Sequence, residues 1–236
     1  MNPPRRRTRP LLLVAALLSA LALSSCAGSG SGSDEAVEPE QRLSTAKTTL
    51  DETSGVQIRL ATEDLPPGVN GLVSAAGTAT HAPAFEGDIT VAASGINADA
   101  EVVAVDGVVY AKLPFTTDFV EIDPADYGAP DPADLMATEN GLSSLLTAAR
   151  DVESAEHVRD GEAVLSRLTG TLPGDAVADV IPSASADATF DATFTLDESD
   201  RVTEIVLTGP FYPDADDVTY TVDLEKYGVE KDITAP

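Results

Sequence analysis

Residues 96–113 read INADAEVVAVDGVVYAKL, two runs of strand-forming residues joined by Asp106-Gly107. Asp-Gly between apolar runs is the strongest short-range signal for a two-residue hairpin, because both central positions of a type I′ turn need a positive φ. We therefore predict an antiparallel pair of strands over residues 96–105 and 108–113. A sheet that contains this pair would be built from hairpins between neighbouring strands.

The same period-two alternation of apolar and polar residues recurs on both sides of this hairpin. In residues 85–91, for example, Phe85 and Ile89 alternate with Glu86 and Asp88. Such alternation is typical of antiparallel strands with one buried face and one solvated face. The predicted strands are residues 56–60, 72–80, 85–91, 152–160, 162–171, 190–196, 201–208 and 218–224, with residues 119–122 as an extension of the sheet and a turn at 197–200.

Three segments have the apolar spacing of helices instead. Residues 40–53 place Leu43, Ala46 and Leu50 on one helical face, and residues 173–181 end before Pro182. Residues 131–150 are also helical in pattern, with a break at Asn140-Gly141. A sheet of many strands curls. We therefore predict an α+β fold, a curled antiparallel meander of about nine or ten strands with helices on its concave side.

Composition excludes several functional classes. The 236 residues include 14 Lys and Arg against 40 Asp and Glu, and Cys26 is the single cysteine. A disulfide framework or a thiolate metal site needs more cysteines. Nucleic-acid binding needs clustered basic residues, so we expect no nucleic-acid partner. A hydrophobic fraction of 43% is too high for a disordered acidic chain.

The first 26 residues have the organisation of a lipoprotein export signal. Four Arg within residues 5–9 precede the apolar run 11–23, which is too short to span a bilayer. Leu23-Ser24-Ser25-Cys26 then resembles a lipobox, whose cysteine becomes acylated and N-terminal after cleavage. The alternative is a free or buried cysteine beside an ordinary cleavage site. We predict a signal peptide over residues 1–25, a lipidated flexible tether over 26–39 and one domain over 40–236, which leaves 10 basic against 40 acidic groups, a charge of about −30 on the exported chain.

Catalytic and metal-binding patterns are weak. His81 and His157 lie in no ligand-spaced pair, and both are expected at the surface. Ser44 and Lys47 match S-x-x-K but lack the S-D-N and K-T-G partners of that active site. The acidic residues at 214–217 suit a solvated loop, with weak Ca²⁺ binding left open because they lack the ligand spacing of a dedicated site. We expect no enzymatic activity, no cofactor and no metal.

Several segments, in this order and spacing, resemble the mycobacterial LppX/LprA/LprF/LprG lipoprotein family. They are Cys26, Leu43 together with residues 53–58, and residues 105–111, 131–135, 141–146 and 166–172. The resemblance implies a half-open β-barrel, similar in outline to the LolA/LolB carriers, whose helices enclose an apolar cavity on the concave side. It also implies a carrier of triacylated lipids or glycolipids. We expect a monomer that the acyl chains of Cys26 hold on the outer side of the cytoplasmic membrane. An inner-membrane transporter as a partner stays open.

We expect one apolar set of side chains to line that cavity: Ile89, Val91, Val102, Ala104, Val109, Ala111, Leu135, Met136, Leu142, Leu145, Leu146, Val177 and Val180. The same side chains could instead form an ordinary packed core, because alternation cannot tell a lining from a core. The alternative function is therefore a structural or adhesive surface lipoprotein with a dense core and no ligand. A hydrolase is a third and weaker hypothesis.

Overall fold

The computed structural model describes residues 37–63, 65–127, 129–161 and 163–236. The predicted signal peptide and Cys26 lie outside the described residues. Val37–Pro236 forms one compact unit that contains all the elements given below. Within the described residues, no helix has both the length and the apolar character that crossing a bilayer would need.

In the part of the chain that the structure describes, eleven strands form a single sheet in which each neighbouring pair is antiparallel. Every predicted strand segment is confirmed, and the expected count of nine or ten is too low because the short strand near residue 120 is a full member. The bounds are β1 Gly55–Ala61, β2 Gly71–Thr80, β3 Ala84–Ala93, β4 Ile96–Val105, β5 Val108–Lys112, β6 Val120–Ile122, β7 Arg150–Asp160, β8 Ala163–Pro173, β9 Thr189–Leu196, β10 Val202–Gly209 and β11 Val218–Glu225.

The first and last strands pair in the middle of the sheet. The strand order is β6-β5-β4-β3-β2-β1-β11-β10-β9-β8-β7, and the β1–β11 ladder runs from Gln57↔Glu225 to Ala61↔Thr221. A simple meander would leave these two strands at opposite edges. Two meanders are joined here instead, and β6 and β7 form the two edges of a curled sheet that does not close. The half-open barrel is confirmed.

Three α-helices and two 3₁₀ helices complete the fold of the described residues. They are α1 Pro39–Glu52, α2 Leu142–Ala148, α3 Gly174–Val180 and the 3₁₀ helices Pro124–Tyr127 and Pro132–Met136. The prediction of α-helix throughout residues 131–150 is wrong at both ends, because Pro132–Met136 is 3₁₀ and β7 already begins at Arg150. The predicted break is confirmed: Asn140 has φ 60°, and a Cβ at Gly141 would lie 2.1 Å from the carbonyl oxygen of Ala137.

The helices pack on one side of the sheet, which we call the inner face. Val56 and Ile58 of β1 belong to the same buried cluster as Leu43 and Leu50 of α1. Phe190, Phe211 and Tyr220 add an aromatic group, with edge-to-face ring centroids 4.9 Å apart in both pairs. Most of the apolar core therefore lies between the inner face and the helices.

The opposite side of the sheet, the outer face, is mostly polar. Its apolar part is a small cluster in which Ile233 packs with Ala84 and Val103. Lys231 Nζ lies 3.1 Å from Glu86 Oε2 on β3. Residues 228–233 thus pass across the outer face.

Candidate functional site

Helix α1 covers one end of the inner face. Arg42 Nε donates to Asp200 Oδ1 over 2.7 Å, in the turn between β9 and β10. The other end of α1 reaches a second turn, the one between β2 and β3, where His81 Nε2 lies 2.9 Å from the Leu50 carbonyl oxygen. Both turns lie at the same end of the antiparallel sheet, which we call the closed end. His81 is half-buried there, not fully at the surface as predicted.

At the opposite end, the open end, apolar side chains of the inner face are only partly covered. Cross-strand register places Val120 beside Ala111 and Ala111 beside Val102 on this face. Leu72, Ile89, Val91 and Ala98 are half-buried. Beyond them lie four exposed apolar side chains, which we call the rim: Ile96, Leu113, Phe115 and Val120. The inner face thus runs from a covered end to an end where apolar surface meets water.

The structure brings the predicted lining residues to the inner side of the sheet. Ile89 and Leu135 are partly buried against the core, and Val91 is half-buried near the open end. The other ten are buried within the single large cluster: Val102, Ala104, Val109, Ala111, Met136, Leu142, Leu145, Leu146, Val177 and Val180. Their shared position is therefore established, and their role as the lining of a cavity stays a prediction.

Short helical segments cover the inner face piece by piece. The 3₁₀ helix Pro132–Met136 contacts β2, β3 and β4, α3 contacts β8 and β9, and α2 lies between α1, α3 and β8. Asp131 caps the 3₁₀ helix by accepting a hydrogen bond from the Ala133 N–H over 2.9 Å. Burial raises the pKa of Asp131 in spite of this hydrogen bond, and the neighbouring Asp134 raises it further.

The S-x-x-K match is structural in this fold. Lys47 Nζ donates to the carbonyl oxygen of Thr138 over 2.8 Å and to Ser143 Oγ over 3.1 Å. It also forms an ion pair with Asp51 at 2.8 Å. Ser44 is exposed on another side of α1. Lys47 therefore ties α1 to the start of α2.

Two polar grooves lie on the outer face. One, of about 540 Å³, includes Arg59, Glu86 and Glu101 among its lining residues, and the other, of about 630 Å³, includes Glu204 and Asp223. These charged walls do not suit an acyl chain, because burial of an unpaired charge against hydrocarbon is costly. The outer face is therefore a poor site for an apolar ligand.

The acidic turn at 197–200 is confirmed as a turn. The Asp200 N–H donates to the Asp197 carbonyl over 3.1 Å. Asp197 Oδ1 accepts from the N–H groups of Ser199 and Arg201. Burial alone would raise the pKa of Asp197, but these hydrogen bonds and the Arg201 guanidinium lower it below its ordinary value. Within residues 37–63, 65–127, 129–161 and 163–236, no cluster of three or more His, Cys, Asp or Glu side chains could hold a metal ion.

Comparison with known proteins decides the family. The family model described as LppX_LprAFG lipoprotein matches residues 38–235. The chain belongs to the LppX_LprAFG lipoprotein family. The resemblance in the sequence is thereby confirmed, and the half-open barrel is the fold of a member of this family.

Two curated relatives of this LppX_LprAFG lipoprotein are named lipoarabinomannan carrier protein LprG. The one from Mycolicibacterium hassiacum is 30% identical over 245 residues, covering 98% of this chain and 99% of the relative. The one from Mycobacterium tuberculosis strain H37Rv is 27% identical over 207 residues, covering 84% of each chain.

Two solved structures share the fold of this LppX_LprAFG lipoprotein at low sequence identity. LprF from Mycobacterium bovis has a TM-score of 0.69 at 14% identity and covers 84% of this chain and 96% of its own. LppX from M. tuberculosis has a TM-score of 0.62, also at 14% identity, and covers 86% of this chain and all of its own. These likenesses confirm the fold of the described domain.

Sequence reasoning missed the rim. The sequence predicts residues 119–122 only as a strand and gives no role to Phe115. The signal that could have found it is Leu113-Pro114-Phe115, where two large apolar residues flank a proline in a connecting loop.

Proposed function

We propose that this lipoprotein binds multi-acyl lipids or glycolipids between the inner face and its helices, and carries or presents them across the cell envelope without covalent chemistry. The observation that carries the proposal is the apolar inner face, which is covered at one end and meets water at the other. The relatives named lipoarabinomannan carrier proteins support a glycolipid as cargo.

The physical basis is the transfer of acyl chains from water to apolar side chains. Burial of apolar surface contributes about 25 cal/mol per Å², or roughly 0.8 kcal/mol per methylene. Two or three long chains therefore supply ample binding free energy without specific polar contacts. The sugar or phosphate headgroup stays in water at the open end, beyond Val91 and Ala98, so that its charge and hydroxyl groups remain solvated.

Space for the acyl chains arises, in this proposal, by movement of the helical segments. α2 and α3 have seven residues each, and neither receives a side-chain hydrogen bond from its N-cap residue. Helices of this length are not stable alone, so their positions depend on packing. Acyl chains that replace the contacts of Leu145 and Val177 with the sheet would provide equivalent apolar surroundings.

The proposal also includes a location. Cys26 would carry the acyl groups that hold the exported chain to the outer side of the cytoplasmic membrane. A domain of strongly negative charge gains nothing from an anionic lipid surface. Two or more acyl chains, by contrast, anchor a protein stably. The tether of residues 26–39, rich in Gly and Ser at its start, would then connect anchor and domain.

The test is native mass spectrometry of Val37–Pro236 after incubation with vesicles that contain a triacylated glycolipid. We choose this segment because it holds the complete sheet and core. A mass equal to one protein plus one lipid, identified by extraction, supports the proposal. An unliganded mass under conditions where the protein is folded contradicts it.

One observation favours the alternative of a surface lipoprotein without a ligand. Ala104 and Leu145 are completely buried, and away from the open end the inner face and the helices form one large buried cluster. A packed core of this kind needs no ligand to be stable. The same mass measurement separates the two functions, because the alternative predicts no bound lipid at any vesicle concentration.

A further inference from the structure

The exposed apolar side chains of the described residues are concentrated at the open end. Five large apolar side chains are exposed, and four of them form the rim: Ile96, Leu113, Phe115 and Val120. The fifth, Val37, precedes α1. Scattered apolar residues are normal on a surface, but a group continuous with an apolar face marks an interaction surface.

Phe115 is held outward by the backbone. Its side chain is fully exposed, and its φ of 68° lies in the left-handed region that bulky residues rarely adopt. The Thr116 N–H donates to the Leu113 carbonyl over 3.1 Å, and Thr116 Oγ1 donates to the same oxygen over 2.8 Å. A hydrogen-bonded turn with Pro114 at its second position therefore presents the ring to solvent.

We propose that the rim inserts into the surface of a lipid bilayer. This inference rests on the proposed function, because it assigns the place where lipid enters. Val120 lies opposite Ala111 on the inner face, and Leu113 directly follows the end of β5, so acyl chains that pass the rim reach the inner face without crossing water. The rim is thus the contact through which cargo leaves or enters the membrane.

The charged residues around the rim determine which lipid headgroup charge favours binding. Lys112, the basic residue next to Leu113, is paired with Glu101 at 3.0 Å and lies 5.9 Å from the Phe119 ring. Asp118 and Glu121 flank the rim and are exposed. Insertion is therefore driven by apolar burial and opposed by negative lipid headgroups. An electroneutral surface is the best partner.

A bilayer fits the rim better than a second copy of the chain. The exported chain carries a large negative charge, and like charges oppose self-association.

The tether is also long enough for the rim to reach the membrane that holds Cys26. Residues 27–38 extend at most about 40 Å, whereas a ten-residue strand measures about 33 Å. An anchor on Cys26 therefore permits the open end to face the same membrane, although α1 lies at the closed end.

The experiment uses the absence of tryptophan from the chain. Phe115→Trp places a single fluorophore on the rim, and Ala82→Trp places one on the exposed turn at the closed end. With Val37–Pro236 and phosphatidylcholine vesicles, we expect the emission of Phe115→Trp to shift to the blue and to be quenched by brominated lipid, while Ala82→Trp is unchanged. No shift for Phe115→Trp, or equal shifts for both variants, overturns the proposal.

Phe115→Ser provides the complementary test. Burial of a phenyl ring corresponds to a factor of roughly ten or more in affinity, so vesicle binding should fall by about this factor. Phosphatidylglycerol in the vesicles should weaken binding at low salt. Concentration-dependent dimerisation without vesicles that Phe115→Ser abolishes would show that a second copy covers the rim and would overturn the proposal.

The two proposals fail in different ways. Loading of Phe115→Ser from detergent micelles bypasses the membrane, so lipid content should equal that of the unsubstituted protein, while uptake from vesicles becomes slower. Equal uptake rates from vesicles overturn the rim proposal alone. Absence of bound lipid by either route in both proteins overturns the proposed function.

Discussion

Arg42 of α1 and Asp200 of the β9–β10 turn form an ion pair, with Nη2 and Oδ1 2.6 Å apart. Both side chains are mostly buried, at 17% and 28% exposure. The pair joins the first helix to the sheet at the closed end. The rim at the other end has no such cover. The inner face is therefore shielded from water at the closed end and accessible at the open end.

Asp200→Asn should loosen α1 at the closed end. Asp200 has φ 54°, which Asn also tolerates, so the variant removes the charge without new backbone strain. Hydrogen bonds to charged groups contribute more than neutral ones, and we expect a loss of about 1 kcal/mol in the free energy of unfolding. Urea denaturation measures it. Glu198→Gln removes the same charge from an exposed position in that turn and serves as control; equal stability of both variants would count against this role of Asp200.

Lys47→Met should destabilise the contact between α1 and the start of α2. The variant removes the hydrogen bonds to Thr138 and Ser143 and leaves the Asp51 carboxylate without its ion-pair partner. Asp51 Oδ1 is already buried without a hydrogen-bond partner among the described residues. We expect a loss of about 2 kcal/mol, measured by urea denaturation.

A double variant provides the control for Lys47. Asp51→Leu in the Lys47→Met background removes the unpaired carboxylate and should restore part of the lost stability. A double variant less stable than Lys47→Met alone would show that the unpaired Asp51 carboxylate is not what destabilises the single variant. Lipid content should be unchanged in either variant.

Asp223→Asn should stabilise the protein at neutral pH. Burial raises the pKa of Asp223, and Glu204 on β10 raises it further, while Arg59 on β1 lowers it in part. The folded state therefore binds this proton more readily than the unfolded state. The protonated carboxyl group therefore adds to the free energy of unfolding below the unfolded-state pKa of about 3.9. This added stability is lost as the pH rises through the higher pKa of the folded state.

Thermal denaturation at several pH values tests this prediction. The Tm of Asp223→Asn should exceed that of the unsubstituted protein at pH 7, and the difference should shrink as the pH falls below about 4. Asp216→Asn, at an exposed position, removes the same formal charge and is the control. A lower Tm for Asp223→Asn at pH 7 would refute the assigned sign.

Local patterns predicted the elements better than their arrangement. Asp106-Gly107 adopts positive φ at both residues, 55° and 73°, as the hairpin prediction requires. Ser94-Gly95 does the same at 52° and 78°, between two strands whose connection carried no such prediction. The pairing of β1 with β11 could not be predicted. Period-two alternation indicates which face of a strand is buried, but it does not indicate which other strand pairs with it.

The sequence predicts which residues of the strands face the candidate site, but it does not predict which side chains are exposed at the open end. Alternation placed Val102 and Ala104 on the buried face, and both are buried there. The exposure of Phe115 depends on how the β5–β6 loop leaves the sheet, which composition does not encode. The left-handed backbone of Phe115 is also not predictable from the sequence, because no turn motif favours a bulky residue there and the surrounding fold imposes that conformation.

Tryptophan substitutions on the two faces of β4 test directly whether acyl chains bind on the inner face. Ala98 lies half-buried on the inner face, and Asn97 is exposed on the outer face. Native mass spectrometry of Ala98→Trp and Asn97→Trp, loaded from the same vesicles, measures bound lipid per protein. Acyl chains held on the inner face predict several-fold less lipid on Ala98→Trp and an unchanged amount on Asn97→Trp. Equal amounts on both folded variants would contradict the claim.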